Sequence, residues 1–442
     1  MSHIPETPAP ARTRVPNWRG LLFVFGLHIA ACCLSLAFVA GLISYQSAPL
    51  FDKAHLPAAM LGVAGFGLIA PLFAFGRFSF GYFLGFYFYT MIAGYLWLLA
   101  FTGFQYDHAL ARISILLSAV AFLAPAMLIS SPLKPAFVLT VRNFDRLLYI
   151  VVALAAATVL AGSFYNFRLV SMADIYDFRG EVELPGPLRY AVGMMSGALL
   201  PFAFAGFVAR GKPWLAGAAL ALIMLLYPVT LTKLTLLAPF WLLFLALLVR
   251  IFEARLSVLL SLLLPITLGI VLVLLYKSGA ISSATMFQYV GTINVRMIAL
   301  PSIALDVYND FFAAHDLTYF CQISIVKWFA HCPYAQPLSV TLAQAYTLGN
   351  FNASLFATEG IASVGPWFAP LSALVGGLVI ALGNRLSAGL SPKFIVLSGG
   401  VLPQIFLNVP LTTTLLTNGA GILFLLWYVT PRSIFEPVST TS

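Results

Sequence analysis

Gly20-LLFVFGLHIAACCLSLAFVAGLIS-Tyr45 decides the class of this protein. The run is apolar throughout and longer than the roughly 20 residues needed to span the hydrocarbon core of a bilayer. It is too long for the apolar core of a cleaved signal peptide, and no convincing cleavage site follows it. It therefore reads as an uncleaved first span. The Pro-rich, basic stretch before it, residues 1–19, reads as a disordered cytoplasmic tail.

Similar runs recur near 57–76, 79–102, 111–130, 147–165, 189–208, 214–231, 234–252, 256–276, 366–383, 394–410 and 413–430. They predict an all-α fold, a polytopic integral membrane helix bundle of about 12 transmembrane helices. Spans 1–9 occupy 20–276, with an outer loop at 165–189. Spans 10–12 occupy 366–430, and 431–442 forms a second cytoplasmic tail. At Tyr227-Pro-Val-Thr-Leu-Thr-Lys233 one long apolar stretch divides into two spans with almost no loop, because proline weakens the helix there.

Composition excludes the soluble classes. Of 442 residues, 61% are hydrophobic and 8% are charged, against about a quarter charged in an average soluble domain. With 23 basic and 14 acidic residues the chain cannot cover itself in water, so the lipid bilayer is its main solvent. Soluble enzymes, nucleic-acid binders and secreted disulfide scaffolds are ruled out. The net charge of +9 calls for no polyanionic partner, since Lys and Arg collect in cytoplasmic loops whatever the function.

The charges also orient the chain. With the N-terminus inside, the inner segments hold Arg12, Arg14, Arg19, Arg77, Lys134, Arg142, Arg146, Arg210, Lys212, Arg250, Arg255, Arg385, Lys393 and Arg432, 14 of the 23 basic residues. The other nine lie on roughly twice the length of outer loop, which the positive-inside rule favours. Both termini are thus expected in the cytoplasm. The outer face carries two long loops, 165–189 and 277–365. The second is apolar for a loop, with Met286, Phe287, Tyr289, Trp328 and Phe329 among its residues. Short re-entrant or interfacial helices lying on the bundle explain that better than a soluble domain. No inverted repeat is visible, which weighs against a secondary transporter.

Four cysteines are too few for a disulfide framework. Cys32 and Cys33 fall in an apolar run and read as buried thiols; Cys321 and Cys332 share the long loop and pair if it faces an oxidising compartment.

Candidate chemistry gathers on the outer side. Ser171-MADIYDFRGEVELPGPLR-Tyr190 holds Asp174, Asp177, Arg179, Glu181, Glu183 and Arg189. It reads either as a solvated loop or as a polar mouth for an anion. Arg suits a diphosphate because its planar fork donates in parallel to two oxygens. Lys233 sits between apolar spans, where a cation snorkels to the interface or reaches the same anionic site. Arg296 is flanked by apolar residues. Asp306 and Asp310 are four apart with Tyr308 and Asn309 between them, and His315 and Asp316 follow. Two acids without a third ligand make a weak metal signal. Asp310 or His315 fits a general base, or else a hydrogen-bonding tether. Gly349, Gly360 and Gly365 permit a close helix approach or a broken helix, and Glu359 is an acid at the outer mouth. Asn352-Ala-Ser354 matches the glycosylation pattern. No nucleotide-binding loop, dinucleotide fingerprint, GxSxG, HExxH or CxxC occurs, and no metal or cofactor is expected.

This architecture, with Ile175-Tyr-Asp-Phe-Arg179, Thr232-Lys-Leu-Thr235, Arg296, Pro301, Tyr308-Asn-Asp-Phe-Phe312 and the glycine-rich run to Gly365, resembles the Wzy-type O-antigen (oligosaccharide repeat unit) polymerases of bacterial inner membranes. The resemblance implies a GT-C-like bundle and metal-independent glycosyl transfer at the periplasmic face. Donor and acceptor would be undecaprenyl-diphosphate-linked glycans, with a chain-length regulator protein as a further partner. It implies catalytic roles for Arg179, Arg296, His315 and Asp310, and substrate binding by Asp177, Arg189, Lys233, Tyr308 and Glu359. O-antigen ligases and other polyprenyl-dependent glycosyltransferases share these features. A transporter or flippase of lipid-linked glycans is the alternative from another class, and should instead bury its ionisable groups near the midplane.

Overall fold

A computed structural model describes residues 18–42, 51–134, 136–171, 174–323, 326–329, 331–346 and 356–435. The terminal segments 1–17 and 436–442, Gly349 and Asn352-Ala-Ser354 lie outside the described residues. Helices are joined by turns and short loops, with no strand among the described residues. Among the described residues, ten helices are long and apolar enough to cross a membrane. The chain is therefore a polytopic helical bundle, as its apolar runs predict.

The ten differ from the expected twelve for identifiable reasons. Phe80–Leu98 replaces the expected span 79–102 and is buried along all of its 19 residues. At 1.5 Å per residue it is about 28 Å long, but its tyrosines and glycines make it less apolar than its neighbours. Neighbouring segments give three of its tyrosine hydroxyls partners: Tyr82 donates to Phe73 O, Tyr87 meets Ser261 Oγ at 2.8 Å and Tyr95 meets Tyr106 OH. Expected spans 394–410 and 413–430 are broken into Pro392–Ser398, Leu402–Phe406, Leu411–Leu416 and Ala420–Val429. Gly399, Gly400, Pro403, Pro410 and Gly419 supply the breaks. The expected span 366–383 instead runs over Thr358–Ser387, continuing across Gly365, whose φ of 77° kinks it.

Contacts sort the loops into two ends. At the near end, where Trp18 starts the first helix, Arg385 Nε donates to Ser131 O at 3.2 Å. Arg432 there donates to the carbonyls of Leu386, Ala388, Trp427, Tyr428 and Thr430. Asp145 bridges Arg210 at 2.9 Å and Lys212 at 3.4 Å. At the far end, the Lys277 ammonium lies 4.7 Å from the Phe38 ring centre, and Arg168 N donates to Pro228 O.

The segment 277–365 departs from a chain of short helices. It opens with one continuous helical run, Ser283–Ala314, of 32 residues. Its length and composition would allow it to cross a membrane, but its contacts return it to the end where it began. It starts just after Lys277 at the far end. Midway, Tyr289 donates to Pro265 O and Asn294 to Ser35 Oγ and Ile266 O. It then returns to the far-end loop 99–107, where Asp306 accepts from Thr102 and Tyr106 and Asp310 from Gln105 N. The run lies across the far half of the bundle. Asn294 Nδ2, Asp306 and Asp310 find protein partners along it, and such polar residues hide it from a search for purely apolar spans.

Candidate functional site

A small apolar cluster builds the site. Ile175, Tyr227 and Leu231 pack together, with Val170, Val182 and Leu236 around them. Leu231 forms the turn between the Pro213–Thr230 and Lys233–Ile251 helices in a left-handed conformation, φ 47° and ψ 43°. That geometry costs a non-glycine residue about 1–2 kcal/mol. Burying the leucine side chain completely is worth about 1.5–3 kcal/mol, so the packing wins. Tyr227 OH donates to Val170 O at 2.5 Å, and Asn166 Nδ2 to the carbonyls of Pro228 and Val229. These contacts dock the 166–184 loop onto the turn. They bring Arg179, one helical turn beyond Ile175, to the cavity that Lys233 also lines.

The cavity, of about 610 Å³, is lined by Arg179, Arg189, Lys233 and Arg296. No Asp or Glu is among its described lining residues. Arg179 and Arg189 are exposed at the rim, while Lys233 and Arg296 are half-buried. Thr230, Thr232 and Thr235 add a cluster of hydroxyls 2.8–3.2 Å apart. Thr232 caps the 19-residue Lys233–Ile251 helix by accepting from Thr235 N. The positive end of that helix therefore faces the cavity beside Lys233, which favours negative charge there. Leu234, Leu237, Ala238 and Trp241 continue the wall in apolar form.

Two irregular helical stretches line the same space. Met195–Leu199 and Gly291–Ala299 are π-helical. The first contributes Ser196, and the second contributes Thr292, Ile293, Arg296 and Met297. An extra residue per turn rotates following side chains around the axis, a device frequent at functional sites. The last wall is the broken segment 401–418, which supplies Gln404, Asn408, Thr417 and Asn418. It comes close because Gly193 and Gly197 have no side chains. A Cβ on Gly193 would lie 2.5 Å from Thr417 O, and one on Gly197 2.6 Å from Asn418 O.

The other expected site residues do not line this cavity. Asp177 is exposed in the short Ile175–Arg179 helix. Asp310 accepts from Gln105 N at 3.2 Å and Tyr346 OH at 2.6 Å, so it ties loop 99–107 to the Leu338–Tyr346 helix. Burial, and then Asp310 itself, pushes the Tyr346 phenol above its usual range. Tyr308 is buried beside Phe312. The His315 ring stacks on Phe311 at 3.9 Å and its Nδ1 lies 2.8 Å from Phe311 O. Glu359 accepts from Leu411 N at 3.2 Å, two residues beyond Val409 in the cavity wall. Cys321 and Cys332 form a disulfide with Cα atoms 5.3 Å apart. Cys32 is a buried free thiol and Cys33 a half-buried one.

Thr232 and Thr235 were legible only as part of the Thr232-Lys-Leu-Thr235 stretch, while Ser196, Trp241 and the amide-bearing wall were missed in the sequence. Two signals were available: the small-xxx-small pattern Gly193-Met-Met-Ser-Gly197, and three amides and four threonines in the uncharged segment 401–418. No protein-family model, curated protein or solved structure matches the chain.

Proposed function

We propose that the protein polymerises oligosaccharide repeat units carried on undecaprenyl diphosphate, by glycosyl transfer at the far end of the bundle. The observation that carries this reading is the convergence of Arg179, Arg189, Lys233 and Arg296 on one cavity with no lining carboxylate. In the transfer, the acceptor hydroxyl oxygen bonds to the donor's anomeric carbon while the bond from that carbon to the diphosphate oxygen breaks. Negative charge grows on the departing diphosphate. Fixed cations and the Lys233–Ile251 helix terminus stabilise that charge more than the ground state. The apolar wall from Leu234 to Trp241 suits the first isoprene units of the carrier. The hydroxyl proton needs an acceptor, and we assign that role to Glu359, which accepts from Leu411 N two residues beyond the lining residue Val409.

The far end is read as the periplasmic face of a bacterial inner membrane. Two features support that side. The disulfide Cys321–Cys332 belongs to the far-end segment, and disulfides persist in oxidising compartments. The near-end loops hold Arg77, Lys134, Arg210, Lys212 and Arg385, as cytoplasmic loops do.

Substitution of the arginines tests the reading. Arg179→Ala and Arg296→Ala are each expected to reduce glycan lengthening about 10²–10³-fold, the usual effect of removing one transition-state donor. Membrane insertion should be intact. Lysine at either position should restore activity only in part, because a point charge replaces a bidentate fork. Wild-type chain lengths in a well-expressed alanine variant would remove that residue from the site.

A further inference from the structure

The cavity has two chemically different walls. One carries the four cations, the threonine hydroxyls and the helix terminus. The other, from the broken segment 401–418, carries no charge and presents Gln404, Asn408, Thr417 and Asn418. A diphosphate is served by the first wall alone. At about 610 Å³ the cavity is within the range of pockets that enclose a drug-sized ligand, and so holds more than a diphosphate.

The amides on the second wall are not used up by the protein. Asn408 Nδ2 donates to Gln404 O at 2.8 Å, which turns its Oδ1 into the side chain's remaining acceptor. Asn418 Nδ2 reaches Thr413 O only at 3.5 Å, the limit for a hydrogen bond. Gln404 Nε2 is buried without a partner, although buried donors are nearly always satisfied. Its terminal torsion is soft, so a small rotation turns the amide toward the cavity. A wall of neutral amides matches a group that both donates and accepts, as sugar hydroxyl and acetamido groups do. The glycine pair at 193 and 197 holds this wall against the cationic side.

Resting on the reading that the cavity binds a polyprenyl-linked glycosyl diphosphate, we propose that segment 401–418 is a sugar subsite. It reads the first sugar, the one bonded to the diphosphate, and Gln404 and Asn408 determine which sugar is accepted. Specificity then has a different structural origin from diphosphate affinity. Polar sites reject ligands that leave their buried groups unpaired, so the amide wall discriminates while the cations do not.

Binding of bare and glycosylated carriers to the purified full chain in lipid nanodiscs tests this. The probes are undecaprenyl diphosphate alone and the same carrier bearing a single glucose, galactose, N-acetylglucosamine or N-acetylgalactosamine. At least one glycosylated probe should bind about tenfold tighter than the bare carrier, the equivalent of one or two neutral hydrogen bonds. Gln404→Met, which keeps the side-chain volume, and Asn408→Ala should each erase most of that advantage and leave bare-carrier binding unchanged. Arg296→Ala should weaken both. The subsite is overturned if no glycosylated probe outbinds the bare carrier, or if the amide variants weaken all probes equally. Failure of the wild-type chain to bind even the bare carrier would overturn the diphosphate reading, and the subsite with it. Thermal unfolding of each variant in the same nanodiscs separates loss of fold from loss of contact.

Discussion

Asp310 and Arg296 show how far a residue's type predicts its role. Both lie on the Ser283–Ala314 helix, and both are polar groups in apolar surroundings. Arg296 reaches the cavity, while Asp310 is held by Gln105 N and Tyr346 OH. Asp310→Asn keeps the shape and one acceptor oxygen but weakens one of these bonds. It is expected to lower stability by about 1–2 kcal/mol, read as a reduced Tm in detergent, and to leave glycan lengthening near wild type. A loss as deep as that of Arg296→Ala, with Tm unchanged, would return Asp310 to the chemistry. Both arginine and aspartate were visible as candidates in the sequence. Which one faced the cavity depended on rotation of the helix through Gly291–Ala299, and no residue-level signal encodes that.

At the level of elements, the site depends on two devices: a left-handed leucine turn and a glycine-permitted approach. Gly193 and Gly197 let the 417–419 backbone touch the Gly186–Ala209 helix. An alanine at either position must displace a carbonyl, not a flexible side-chain tip. Each substitution should cost about 1–3 kcal/mol as an overpacking defect and move Thr417 and Asn418 away from the cavity. Gly217 is the control, since a Cβ there meets nothing within 4 Å. Gly217→Ala should be neutral or stabilising by up to about 1 kcal/mol. Equal Tm values for Gly197→Ala and Gly217→Ala would show that the approach is looser than the structure has it. Helix positions such as 108–128 and 254–277 are close to those expected from apolar runs near 111–130 and 256–276. The breaks at 399–403 and 410, and the length of 283–314, were not legible. Broken and polar helices are stable only because neighbouring helices satisfy their backbone and side-chain groups.

For the molecule as a whole, the far end is the specialised one. It holds the cavity, the cross-lying Ser283–Ala314 helix and the Cys321–Cys332 disulfide. The sequence separation across that disulfide is 11 residues, and closing so short a ring is worth roughly 3 kcal/mol in the chain-entropy account. Intact cells treated with a membrane-impermeant maleimide should label Cys321 and Cys332 only after reduction. The Cys321→Ser/Cys332→Ser double variant should make the segment around 315–346 more open to protease while the bundle stays folded. No labelling even after an impermeant reductant, in cells where a permeant maleimide does label, would place this end in the cytoplasm and overturn the proposed periplasmic assignment.

Apolar composition by itself determined that the chain is a helical membrane bundle, because in lipid every backbone group must be satisfied within helices. The positions of most spans followed from the same rule, since span length is set by bilayer thickness. Charge placement singled out all four cations separately, Arg179 and Arg189 in the charge-dense outer loop and Lys233 and Arg296 because a cation in apolar surroundings has few inexpensive explanations. Only the tertiary structure decided that these four share a cavity and that Asp310, His315 and Tyr308 do not. Convergence depends on helix rotation, on Ile175 docking under Tyr227 and Leu231, and on backbone contact at Gly193 and Gly197. All of these join residues far apart in the chain, which local sequence patterns do not record.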